Sequence, residues 1–222
     1  MRIVIDTDQR SCTVDGRELL LDSPAAFAVV SEVWLRMGLH LGHWTTFSWL
    51  GRQLVQLPDD AWRLAEAIWT VRPDVILETG VYEGGSSLLF STLCRMAGHG
   101  RVVSVEIAPR PGVRELLASN TIHLVEGDSA SAATAQRVYE QIGPAERVFV
   151  FLDSDHSRAH VRSELENYAP LVTLGSYLVV ADTILEGEDS PGAAVDGFLA
   201  AHPEFVLDPP NPLFPGQPTS AT

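Results

Sequence analysis

The densest chemistry in the chain follows an apolar run, in the stretch VFVFLDSDHS from Val148 to Ser157. After Leu152, residues Asp153, Ser154, Asp155 and His156 place two acids and an imidazole within four positions. Such groups are costly to bury without partners, and an imidazole exchanges protons near neutral pH. A second cluster reads Glu78-Thr79-Gly80-Val81-Tyr82-Glu83-Gly84-Gly85-Ser86-Ser87. Its glycines allow a sharp backbone turn and close approach of a ligand. The spacing is G-x-x-x-G-G, whereas a dinucleotide loop reads G-x-G-x-x-G and rests its pyrophosphate on a helix N-terminus. Glu78 and Glu83 would repel that phosphate. The loop suits a ligand with a positive centre and no phosphate, and S-adenosylmethionine fits through its sulfonium and ammonium groups. A plain strand-to-helix turn would carry the same glycines.

Two further acids stand where apolar runs end. Glu106 is placed to accept both ribose hydroxyls of a nucleoside. In Glu126-Gly127-Asp128-Ser129, Asp128 suits the adenine amino group, and it equally suits the cap of a helix beginning near Ala130.

The elements that must position these residues have a regular rhythm. Strand-like runs occupy 75–79, 102–107, 122–125, 148–152 and 177–181, with helical patterns near 85–97, 111–119, 130–142, 158–169 and 192–201. A last short run spans Glu204 to Leu207. Alternating strands and helices predict a doubly wound α/β fold, Rossmann-like, with a mostly parallel sheet covered on both faces. Ligands of such sheets bind beyond the carboxyl ends of the strands. Upstream, residues 2–5 and 17–21 read as a hairpin around Asp15-Gly16. Ser23-Pro24 opens a helix to about Met37, closed by Gly38. Residues 39–57 are aromatic and aperiodic. Pro58-Asp59-Asp60 starts a helix with Trp62, Ala65 and Trp69 on one face, read as packing residues. The expected divisions are an N-terminal hairpin, helix and aromatic cap (1–57), a ligand-binding domain (58–207) and a tail (208–222). Five prolines from Pro209 to Pro218 predict an irregular or disordered tail.

Composition narrows the partners. The 222 residues are 45% hydrophobic, and 29 acids against 15 Lys and Arg give a formal net charge of −14. Nucleic acid and anionic membrane both require a basic surface and are not expected. The opening MRIVIDTDQR is too acidic for a signal peptide, and no run reaches the length of a membrane span. Cys12 and Cys94 lack metal-ligand spacing and read as buried thiols. A cytoplasmic protein is expected.

The run E-T-G-x-x-x-G-G-S, then GRVVSVEI, LDSDHS, YAPLV, GSYLVVADT and AVDGFLAAHPEF resembles the cephalosporin hydroxylase family over about residues 44 to 206. The resemblance implies the class I S-adenosylmethionine-dependent methyltransferase fold, shared with rhamnosyl and other antibiotic-sugar O-methyltransferases. It implies that Asp153 binds Mg²⁺ together with a pair ending the fifth strand, here Ala181-Asp182, and that His156 is the general base. Position 181 is alanine where the family usually has glutamate, which weakens or removes the metal. Asp155 substitutes as a ligand if its loop turns inward; otherwise it caps the helix after Ser157. The expected cofactor contacts are Glu78, Gly80, Tyr82, Gly84, Ser86, Ser87, Glu106, Asp128, Ser129 and Asp153. Trp49-Leu50-Gly51 and Pro58 match a segment that either covers the cofactor and acceptor or packs against the sheet. His40 and His43 are within reach of an acceptor from that segment, whereas His123 has no such context. The implied function is O-methylation of a hydroxyl on a sugar or natural-product (antibiotic) intermediate, with a homo-oligomer expected. A cofactor-binding partner subunit of a two-component system is the alternative. The loop spacing and its acids argue against an NAD-dependent oxidoreductase.

Overall fold

A computed structural model describes residues 1–145, 147–208 and the backbone of 219–221. The chain divides into two compact units, of which the larger comprises residues 45–208 and the strand at 219–221. Its sheet contains β6 (Val75–Thr79), β7 (Arg101–Glu106), β8 (His123–Glu126), β9 (Val148–Leu152) and β10 (Leu178–Val180), all parallel, and the antiparallel β11 (Thr219–Ala221). The strand order is β11-β10-β9-β6-β7-β8. The chain runs outward from β6 to β8 and then returns to lay β9 on the other side of β6. The order therefore reverses between β6 and β9, and the crevice beyond their carboxyl ends is the natural ligand site.

Period-two alternation explains why β6 and β9 are buried at every residue. Val75, Leu77, Val148, Val150 and Leu152 face one core, with α5 (Ala132–Ile142), α6 (Arg158–Tyr168) and α7 (Pro191–Ala201). Ile76, Phe149 and Phe151 face the other, with α2 (Pro58–Val71), α3 (Gly85–Ala97) and α4 (Val113–Ser119). Cys12 and Cys94 are buried free thiols. Among the described residues no helix is long and apolar enough to cross a membrane.

Several expectations change. Trp62 and Trp69 are 66% and 46% exposed; α2 buries Leu64, Ile68 and Val71 instead. The aliphatic stripe fills the core, and Arg72 stacks on the Trp69 ring at 4.0 Å. Glu204 to Leu207 does not form a strand. The sheet edge beside β10 is taken by β11, paired Leu178 to Ala221 and Val180 to Thr219. The polar sequence Thr-Ser-Ala carries no strand signal, because at an edge the neighbour's ladder supplies the pairing. The prolines from Pro209 to Pro218, read as an irregular tail, lie outside the described residues. Residues 45–57, read as part of the N-terminal cap, belong to the larger unit. Within it, β4 (Ser48–Trp49) pairs with β5 (Arg52–Gln53).

The smaller unit includes Met1–Trp44. Its sheet has three strands where the sequence predicts two: β1 (Ile3–Asp6), β2 (Ser11–Val14) and β3 (Arg17–Leu20). The Asp15-Gly16 turn joins β2 to β3. Ser11-Cys12-Thr13-Val14 was hidden by its polar members. Ser23 caps α1 (Pro24–His40) by accepting from the Ala26 amide, as predicted. Gly38 does not end this helix. It is buried, and the His43 ring packs where a larger residue would stand.

Candidate active site

The larger unit's strand ends bring three of the expected groups together. Asp153 leaves β9, His156 follows one turn later, and Asp182 lies just past β10; their ligand atoms lie within 4.8 Å of one another. His156 Nε2 is 3.1 Å from Asp182 Oδ2 and 3.6 Å from Asp153 Oδ1. Asp182 adopts φ 57°, a left-handed conformation that costs a residue with a Cβ about 1 kcal/mol or more. The turn it makes is what aims its carboxylate at His156. Burial pushes Asp153 up to about 6, against the lowering effect of its bond to His156. The bond to Asp153 in turn raises His156, opposed by its own burial.

Two further participants carry no signal in the sequence. Gln56 Nε2 donates to Asp153 Oδ2 at 2.8 Å. The preceding Val55 is β-branched and adopts φ 58°, which is costly for that side chain and turns Gln56 inward. Asp60, in the first turn of α2, is pushed up to about 7 by burial and then by the charges of Asp59, Asp182 and Asp153. Gln56 lay in the aperiodic stretch, and Asp60 read only as a helix-opening acid.

Asp155 is outside the cluster. Its Oδ1 accepts from the amide and hydroxyl of Ser157, which lowers its pKa and fixes the turn into α6. Ala181 is 7% exposed and offers no side-chain ligand.

The glycine loop is assembled from below. Glu78 is fully buried, and its carboxylate accepts from the hydroxyls of Ser86, Ser87 and Ser104. Burial raises it to about 7 in spite of those bonds. Glu78, Ser86 and Ser87, expected as cofactor contacts, bind one another and anchor the N-terminus of α3. Gly80, at φ 80°, lets the loop cross β9: a Cβ there would overlap the Asp153 carbonyl. Gly84, also left-handed, is the N-cap of α3 and lies against Leu116. Gly85 admits the Gln53 carbonyl, and Trp49 Nε1 donates to Thr92 Oγ1 at 3.2 Å, so the β4–β5 segment packs on α3.

Other expected contacts face outward or inward for clear reasons. Tyr82 is 44% exposed under the Arg110 guanidinium, 3.8 Å from its ring centre, and Arg110 Nη1 lies 2.8 Å from Glu83 Oε1. Glu106 Oε2 accepts from the Val81 and Tyr82 amides, while Oε1 accepts from Ala108. The carboxylate thus joins the first loop to the second and retains lone pairs for hydroxyls. Asp128 is exposed and accepts from the Ala130 amide; the cap of α5 is Ser131. Ser129 turns inward, with Oγ 3.0 Å from His160 Nε2. In the smaller unit, His43 packs edge-on against Trp34 at 5.5 Å. His123 is exposed on β8.

Comparisons with known proteins agree with this fold. A rhamnosyl O-methyltransferase of Mycobacterium leprae is 32% identical over 150 residues, covering 65% of this chain and 63% of that protein. The corresponding Mycobacterium tuberculosis H37Rv protein is 29% identical over 149 residues, 65% of this chain and 60% of that one. The chain therefore spans less than two thirds of these relatives. A CmcI structure titled with Mg and SAM superposes with a TM-score of 0.59 at 22% identity, covering 74% of this chain and 69% of that one. The mycinamycin-pathway methyltransferase MycE, titled with Mg and SAH, gives 0.52 at 20% identity, covering 67% and 46%. These likenesses establish the methyltransferase fold. The family model described as rhamnosyl O-methyltransferase/CmcI matches residues 41–212, which include every residue of the acidic cluster, and the chain belongs to that family.

Proposed function

We propose that the chain is an S-adenosylmethionine-dependent O-methyltransferase acting on a hydroxyl of a sugar or natural-product intermediate. The observation that carries this reading is the convergence of Asp153, His156 and Asp182 at the switch point, directly against the glycine loop. Family membership and the names of its relatives support it.

The residues present fit both absent groups. Glu106 and the exposed Asp128, at neighbouring strand ends, supply acceptors for ribose and adenine. Asp153 and Asp182 supply the oxygen donors that a hard divalent cation prefers. With alanine at 181 the set lacks one anionic ligand, and weak binding follows. When bound, the cofactor supplies an electrophilic methyl group and Mg²⁺ acidifies a coordinated hydroxyl. The chain's own work is positioning and proton transfer. With Nε2–H facing Asp182 and Asp153, His156 when neutral accepts the hydroxyl proton at its other ring nitrogen, Nδ1. Asp153 and Asp182 orient the imidazole and stabilise the imidazolium that forms. Gln56 holds the second oxygen of Asp153, which fixes the rotation of that carboxylate.

Titration of S-adenosylhomocysteine, followed by methyl-transfer assays with a panel of rhamnosides, tests the proposal. Binding and turnover support it; an absence of binding at millimolar concentration would falsify it. Ala181 favours one second reading, a partner subunit that binds the cofactor without turning over alone. It predicts binding with no transfer unless another protein is added. The same proposal places a homo-oligomer in the cytoplasm, and light scattering coupled to gel filtration reads the oligomer size.

A further inference from the structure

One side of α6 carries His160, Glu164 and Tyr168 at intervals of four residues, a single helical stripe. All three reach loops that follow strands. His160 Nε2 lies 3.0 Å from Ser129 Oγ, in the loop after β8, and 3.1 Å from Ser154 Oγ, in the loop after β9. Ser129 Oγ donates to Ser154 Oγ at 3.3 Å, and Ser154 Oγ donates to Glu164 Oε1 at 2.7 Å. Tyr168 Oη donates to the Ser129 carbonyl at 2.8 Å, and Asn167 Nδ2 to that of Ala130 at 3.0 Å. Glu164 is fully buried, and its Oε2 has no hydrogen-bond partner.

A buried carboxylate with a free oxygen costs stability. It is tolerable where a cation lies nearby, and His160 Nε2 is 3.7 Å from Glu164 Oε1. One assignment of protons is consistent with every bond made in the cluster: the Nε2–H of His160 is shared by both serine oxygens, and the hydroxyl of Ser154 points to Glu164 Oε1. The serines are the immediate neighbours of Asp128 and Asp153, which the proposed function places on the cofactor and on the acceptor side.

We propose that His160, backed by Glu164, is a positioning residue that ties the loop after β8 to the loop after β9, so that the cofactor-side and acceptor-side carboxylates are held in one register. The role at the site rests on the methyltransferase reading; the physical tie between the loops does not. Helix α6 is its rigid frame, and His160 adds two contacts to the one direct bond between the loops, Ser129 Oγ to Ser154 Oγ.

The tie is read by hydrogen exchange of the ligand-free, full-length chain. Ser129→Ala alters only the loop after β8, yet faster exchange is expected in 153–157 as well as in 128–131. Ser154→Ala should show the converse, and His160→Leu should loosen both loops. If each serine substitution loosens its own loop alone, the proposal is overturned. The second readout is S-adenosylhomocysteine affinity at a temperature where the variants are folded. His160→Leu is expected to weaken it roughly tenfold, and His160→Gln, which keeps a donor, to recover most of the loss. Wild-type affinity in His160→Leu would refute the positioning role. If the wild-type chain binds no S-adenosylhomocysteine, the methyltransferase reading falls and the exchange pattern alone decides the tie.

Discussion

The loops after β6 and β9 begin alike and end differently. Each leaves a fully buried strand and each has a carboxylate close to its exit, Glu78 and Asp153. Glu78 meets three hydroxyls, which satisfy it without charge, and nothing reaches it from solvent. Asp153 meets one amide and one imidazole, and a second carboxylate lies across that imidazole. Neutral donors make a buried acid structural. Partners that can exchange a proton or yield to a cation leave it available for chemistry.

The largest effect expected from this contrast is on turnover. His156→Ala should lower methyl transfer by about 100-fold or more while leaving S-adenosylhomocysteine affinity within about threefold, since its contacts lie on other loops. The wild-type rate should rise with pH, because His156 accepts a proton only when neutral. Its pKa is raised first by Asp153, so the rise should centre above an ordinary imidazole value. A rate that is flat across neutral pH would remove His156 from the proton transfer.

Next in size is Gly80→Ala. The left-handed backbone and the overlap with the Asp153 carbonyl should together cost about 2–3 kcal/mol in chemical denaturation. An unchanged midpoint would mean that the crossing of β6 and β9 is looser than described.

Glu78→Gln tests the structural side of the comparison. The folded value of Glu78 is about 7 against 4.5 for the free side chain, so the folded state binds more protons in that interval. Stability therefore falls as pH rises from about 4.5 to about 7. Asp60 and Asp153 contribute in the same direction. Replacing Glu78 should narrow, without abolishing, the difference in Tm between pH 5 and pH 8. An unaltered difference would show that Glu78 does not titrate in the folded protein.

The smallest effect concerns the missing ligand. EDTA should depress turnover, and added Mg²⁺ should restore it. Ala181→Glu should tighten Mg²⁺ binding severalfold by placing an anionic oxygen beside Asp182. Activity that survives saturating EDTA, with no change in the variant, would leave Asp153 as an orienting carboxylate only.

The sequence by itself determined the parallel sheet, because buried central strands must be apolar on both faces, and continuous runs such as VFVFL can hardly be read otherwise. It also determined which strand ends carry acids, and so placed Asp153, His156 and Asp182 at one edge. Only the tertiary structure decided what each acid faces. Glu78 and Glu106 look equivalent as letters, yet one is sealed under serines and the other bonds the amides of the neighbouring loop. Gln56 joins the site from a segment with no periodicity and Asp60 from the opening turn of a helix, and the tryptophans of α2 turn outward because the aliphatic stripe beside them fits the core better. Edge strand β11 is equally invisible in Thr-Ser-Ala, since its pairing comes from β10. Local pattern records burial, which each residue pays for alone; partnership depends on groups brought together by the fold from distant parts of the chain.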